Sequence, residues 1–209
     1  ARDMAAFAGA EVPVLTPRSF TFHTGATVSR QWEHRRLALL DRLTRGQMPF
    51  LVATAEALTQ YTVPPQTLTR ARLELKPGAS YDLNTLTEQL ADMGYTRCDQ
   101  VEGVGQFALR GGILDVFAPG MENPVRAEFW GDEIDTMGSF DSATQRRTEN
   151  VDRALLLPAA EVLPHLAPGG LPGLTAKLEK LAAKARKEGQ NDLAATLAQD
   201  REALEQGIF

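Results

Sequence analysis

The chain holds 209 residues, 43% hydrophobic and 23% charged, the balance of a globular protein with room for one large or two small domains. Its formal net charge of −5 argues against broad, sequence-independent DNA binding, which needs a Lys/Arg-rich surface to displace counterions. No apolar run approaches the ~18 residues that span a bilayer, and a single cysteine, Cys98, leaves no internal disulfide framework; a cytoplasmic protein with no membrane partner is the expectation.

Val12–Leu15 reads as a short apolar strand interrupted by Pro13, and Pro17–Gly25 as loop. From Ser29 to Arg45, Trp32, Leu37, Leu40 and Leu43 recur at near-helical spacing, and Gly46 supplies the stop. Ser29 with Glu33 resembles a capped start. Arg30, Arg35, Arg36, Arg42 and Arg45 on this helix read as a solvated face. Phe50–Thr54 is a continuous apolar run of the buried parallel-strand kind. Ala55–Gln60 makes a short helix, ended by Pro64–Pro65. Strand and helix alternate as in a doubly wound layer.

Beyond residue 71 the pattern changes. Arg72–Leu75 is a short strand and Leu83–Met93 a helix, with Gly94 at its C-cap. Short strands follow at Tyr95–Gln100, Gln106–Arg110, Gly112–Phe117, Val125–Trp130 and Glu133–Phe140. Pro119–Gly120 marks one turn, and Gly131–Asp132 one tight enough for a hairpin. A helix on one antiparallel sheet is an α+β unit. Arg153–Leu157 is a further strand closed by Pro158, and His165–Leu171 is loop. Leu174, Leu178, Leu181 and Ala185 mark one helix, broken at Gly189, and Asp192–Glu205 a second, so a helical hairpin is expected. The boundaries fall at 1–71, 72–158 and 159–209. The apolar end Ile208–Phe209 reads as that of a fragment cut at both ends.

Side chains alternate faces along a strand. Val125, Ala127 and Phe129 share one face with the core, which sends Arg126, Glu128 and Trp130 to the other. Likewise Phe107 and Leu109 face in, while Gln106 and Arg110 face out. Two arginines and a tryptophan are then left outside. Trp and Arg dominate binding hot spots, and an exposed tryptophan is rare on a monomer. The patch reads as a protein-docking surface: Arg110, Arg126 and Trp130 at its centre, with Glu128 and Gln106 at its rim. The competing reading is a sheet face covered by other parts of the same protein.

Catalytic signatures are missing. No G-x-x-x-x-G-K-[ST] phosphate loop occurs, and Gly103, Gly105, Gly111 and Gly112 have the wrong spacing for a dinucleotide fingerprint. His23, His34 and His165 stand far apart, and Cys98 has no neighbour of metal-ligand type. Asp132, Glu133 and Asp135 cluster at a turn, where local hydrogen bonding favours Asp and the others suit an outer strand face. No catalytic residue, cofactor or metal ligand is assigned.

The stretch R-G-G-I-L-D-V-F followed by N-P-V-R-A-E-F-W-G-D-E-I-D resembles the second domain of the bacterial transcription-repair coupling factor family, Mfd, a module also found in the excision-repair protein UvrB. RRLALLDRLTRGQMPFLVATAEALTQYTVPP is similar to the late part of that family's degenerate RecA-like first domain. LLLPAAEVLP is similar to the exit strand, and the last helices to the segment returning to the first domain. The resemblance implies a partial RecA-like α/β layer, a small antiparallel-sheet α+β domain and a helical hairpin. It implies a non-catalytic module that docks UvrA for nucleotide excision repair, with Arg110, Arg126 and Trp130 at the contact. The family often has Phe where Trp130 stands. It also implies a C-terminal inhibitory domain that covers the same face, and a parent that is an ATP-dependent DNA translocase contacting RNA polymerase and DNA through other parts. The alternative is a fragment of a UvrB-type ATP-dependent damage-verifying enzyme. The short stretch from Pro17 to Arg36 lacks the tyrosine-rich insertion of UvrB and favours Mfd.

Overall fold

The computed structural model describes residues 1–17 and 30–207. Most of the loop expected over Pro17–Gly25, the Ser29 cap, His23 and the final Ile208–Phe209 lie outside the described residues. The chain divides into two units, Ala1–Glu161 and Val162–Phe209.

The first unit begins with a helix that the sequence reading omits, α1 (Arg2–Ala8). Strand β1 (Val14–Leu15) pairs in parallel with β2 (Val52–Ala53), and α2 (Gln31–Thr44) is the crossover between them. Helix α3 (Ala55–Thr59) starts on Thr54, whose hydroxyl accepts from the Ala57 amide at 3.1 Å. The Pro64–Pro65 pair does more than end α3. Pro65 opens a second helix, α4 (Pro65–Arg70), because proline at N1 lacks only an amide that has no intrahelical partner.

The expected solvated face of α2 holds for Arg30, Arg35 and Arg45, which are exposed, but not for Arg36. Arg36 is buried, with Nε donating to Glu161 Oε1 at 2.6 Å and Nη1 to the Thr16 carbonyl at 3.1 Å. Asp41, also buried, receives Arg72 Nε at 2.5 Å and Arg45 Nε at 2.9 Å. Arg30 reaches the Ala159 carbonyl at 2.9 Å. These side chains tie α2 to sequence-distant segments, which charge spacing within a helix cannot reveal.

A six-stranded sheet forms the centre of this unit, in sequence order: β4 (Thr96–Arg97), β5 (Gln106–Arg110), β6 (Ile113–Phe117), β7 (Val125–Trp130), β8 (Glu133–Phe140) and β9 (Arg147–Asn150). All neighbours are antiparallel except β4 and β5, which run parallel. Helix α5 (Leu83–Asp92) covers one face. Its N-cap Asp82 accepts from the Thr85 amide at 2.8 Å, and Gly94 leaves the helix with φ +84°. Leu86 and Leu90 of α5 pack with Phe107, Leu114, Val125, Ala127, Ile134 and Met137. Strands β3 (Leu73–Leu75) and β10 (Ala154–Leu156) pair antiparallel, and Leu75 and Leu156 join the same core. The module's entry and exit are thereby fastened together.

In the second unit a 3-10 turn, Pro164–Leu166, precedes α6 (Gly170–Lys187) and α7 (Asn191–Glu205). The two helices pack as the expected hairpin, burying Ala182, Ala185 and Ala194, whose small side chains let the backbones approach.

A candidate protein-docking face

The face of the sheet opposite α5 carries the residues singled out above. Cross-strand register sets them in rows. Ala108, Asp115, Arg126 and Gly138 form one row across β5–β8, and Arg110, Ile113, Glu128 and Thr136 form the next. Beyond Glu128 the register with β8 shifts, with Asp135 as the additional residue. The parity of β7 survives: Phe129 packs on the core, and Trp130 pairs with Glu133 at the hairpin end. The indole is 86% exposed.

The two arginines do not simply point at water. Both close on Asp115, which follows the inward Leu114 on β6 and is 0% exposed. Arg126 donates from Nε to Oδ1 at 2.6 Å and from Nη2 to Oδ2 at 2.8 Å. Arg110 donates from Nη2 to Oδ2 at 2.7 Å and from Nη1 to the Asp99 carbonyl at 2.7 Å. Such charge-assisted, forked bonds are the strong kind. They raise the pKa of Arg126 above its ordinary value, so this cation persists at any working pH. The Arg126 guanidinium also stacks on Phe140, 4.6 Å from the ring centroid.

Phe140 belongs to a second small core on this outer face, formed with Val101 and Ala108 and flanked by Cys98 and Phe117. The loops 98–104 and 141–146 meet over it. Gln145, at φ +60°, donates its amide to the Val101 carbonyl at 3.1 Å and to Ser142 at 2.7 Å. Cys98 packs here and donates to the Phe107 carbonyl at 3.3 Å, and burial pushes its thiol pKa up, the opposite of an activated nucleophile.

The structure thus brings Arg110 and Arg126 together and leaves Trp130 further along the same strand face. A spacing of four residues corresponds to ~13 Å. Glu128 is half-exposed and receives Arg147 Nη1 at 3.1 Å. Gln106 turns to its own loop, where Oε1 accepts from the amides of Glu102 and Gly103, both at 2.9 Å. Sequence reasoning missed Asp115 and Arg147. Asp115 was signalled as a lone charge inside the apolar run ILDVF. Arg147 was signalled by Gly138, a glycine inside a strand, where a Cβ would lie 2.4 Å from Arg147 Nε. Among the described residues no cluster of His, Cys, Asp and Glu could hold a metal ion, and no helix is long and apolar enough to cross a membrane.

Residues 73–162, from the paired β3 to just beyond β10, match the UvrB interaction domain family. This α+β module with its charged outer face is therefore a UvrB interaction domain. The chain is 32% identical over 188 residues to the transcription-repair-coupling factor of Bacillus subtilis, covering 87% of this chain and 16% of that protein. It is 32% identical over 171 residues to that of Myxococcus xanthus, covering 78% and 14%. With the Mycobacterium tuberculosis protein it shares 41% identity over 118 residues, 56% of this chain and 10% of the relative. The chain is a homologue of the transcription-repair-coupling factors and corresponds to a minor part of their length.

Proposed function

We propose that this chain is a non-catalytic docking segment of a transcription-repair-coupling factor, which recruits UvrA to sites of stalled transcription for nucleotide excision repair. Docking occurs on the outer sheet face, through Arg110, Arg126 and Trp130, with Glu128 and Gln106 at the rim. The observation that carries this reading is Trp130, 86% exposed at the end of a face that also presents two arginines. An exposed indole of this size loses apolar contact with water only when a partner covers it. In the parent protein a C-terminal inhibitory domain shields the face, and other segments engage RNA polymerase and DNA. The chain acts in the cytoplasm, with no cofactor of its own. The names of its relatives favour a coupling factor over a UvrB-type enzyme.

Titration of UvrA with the chain tests this. Trp130→Ala removes only an exposed side chain and should weaken binding by roughly 30-fold, about 2 kcal/mol for a hot-spot aromatic. Unchanged affinity in Trp130→Ala, with Arg126→Ala also unaffected, removes the face from the interface.

A further inference from the structure

We infer that Asp115 is a positioning residue for docking: it holds Arg110 and Arg126 in one fixed pair, so that the partner meets pre-ordered cations. This rests on the docking function proposed above. Ala108, the cross-strand partner of Asp115 on β5, is apolar and buried, so an apolar residue would suit that side of the position as well. A buried carboxylate is weak evidence for stability, because desolvation consumes most of the pairing energy. Orientation is what the carboxylate supplies. Three bonds of 2.6, 2.8 and 2.7 Å join it to two guanidinium groups on strands either side of β6. The arginines sample many rotamers when unrestrained, and ordering them at the moment of docking subtracts from affinity.

The rest of the surroundings serve the same end. Phe140 supports the flat face of Arg126 at 4.6 Å, and the Asp99 carbonyl takes Nη1 of Arg110 at 2.7 Å. Arg110 keeps a side chain 47% exposed and Arg126 one 20% exposed, so both remain reachable. Two guanidinium groups and one carboxylate leave a single positive charge. The matching surface on UvrA is therefore one acidic group set beside an apolar slot for Trp130, not an acidic tract.

The test is UvrA titration of Asp115→Asn, which keeps the side-chain shape and strands no charge. Affinity should fall by roughly tenfold to a hundredfold, the cost of re-ordering two arginine side chains. In an Arg126→Ala background the same substitution should cost much less, because its effect passes through the arginine; a fully additive loss overturns the positioning role. Tighter binding of Asp115→Asn also overturns it, since Asp115 would then only mask charge. Should Asp115→Asn fold poorly, the unsubstituted chain still decides: in arginine-detected NMR without UvrA, the Arg126 Nε–H should be a resolved, slowly exchanging signal, and fast exchange would sink the idea. Loss of affinity in Trp130→Ala but not in Asp115→Asn defeats this inference alone. Unchanged affinity in both defeats the docking function as well.

Discussion

Replacing Arg126 with alanine should destabilise the sheet domain by about 3 kcal/mol, although the residue sits on an outer face. Asp115 is 0% exposed and accepts three charged hydrogen bonds, two of them from Arg126. The substitution leaves Arg110 as the remaining partner, on a side chain 47% exposed to competing water. Breaking a buried ion pair from one side costs about 3–5 kcal/mol, since the other charge stays behind. Water entering the vacated space reduces that figure, and the lost stacking on Phe140 adds back about 0.5–1 kcal/mol. Urea denaturation followed by circular dichroism, with hydrogen exchange of the Leu114 and Ala127 amides as the local probe, reads the effect. Asp115→Asn combined with Arg126→Ala should recover more than half of the loss, because no charge is then stranded. A loss below about 1 kcal/mol for Arg126→Ala, or no recovery in the pair, would refute the buried-charge argument.

Trp130→Ala should leave the urea midpoint almost unchanged, within about 0.5 kcal/mol, because the indole is 86% exposed. Gly94→Ala should cost about 2 kcal/mol or more, as its Cβ would stand 2.5 Å from that of Ala160 at φ +84°; calorimetry would record the lower Tm. His34 is buried, and burial together with Arg30 lowers its pKa from 6.5, against an opposing pull from Glu33 and the Ala159 backbone. The unfolded chain therefore binds more protons there, and the stability due to neutral His34 is complete above the unfolded pKa and lost as pH falls below it. His34→Gln should flatten the fall in urea midpoint as pH drops below about 6.5; an unaltered slope would show that His34 does not carry it.

The sheet was legible because its strands alternate cleanly and are punctuated by turn residues. Gln106–Arg110, Val125–Trp130 and Glu133–Phe140 have the expected bounds. β9 was not legible: its sequence RTEN is exposed on both faces, so no apolar alternation marks it. β4 and β5 pair in parallel through a loop that no local signal specifies. The outward parity of Arg110, Arg126 and Trp130 followed from counting residues, and so could that of Asp115 have done. Its burial could not, because Arg110 and Arg126 close on it from neighbouring strands, and Arg126 also meets Gln145, whose bond to Val101 spans 44 residues. The same limit applies to α2, where Arg36 finds Glu161 across 125 residues of sequence. Parity is a local property, whereas the partner of a charge is a tertiary one.

The proposed docking face has parts with different physical roles. Near its centre, Arg110 and Arg126 are fixed by a buried carboxylate, so their geometry is set before any partner arrives. At the hairpin end, Trp130 lies beyond the register shift with β8 and is covered by nothing else in its unit. In the proposed docking the fixed cations would select orientation but add little long-range attraction, since with Asp115 they carry one net charge on a chain of formal charge −5. The indole supplies apolar area without directional constraint. Affinity lost on truncating Trp130 should accordingly appear as faster dissociation, while loss of the arginine pair degrades the choice of partner surface.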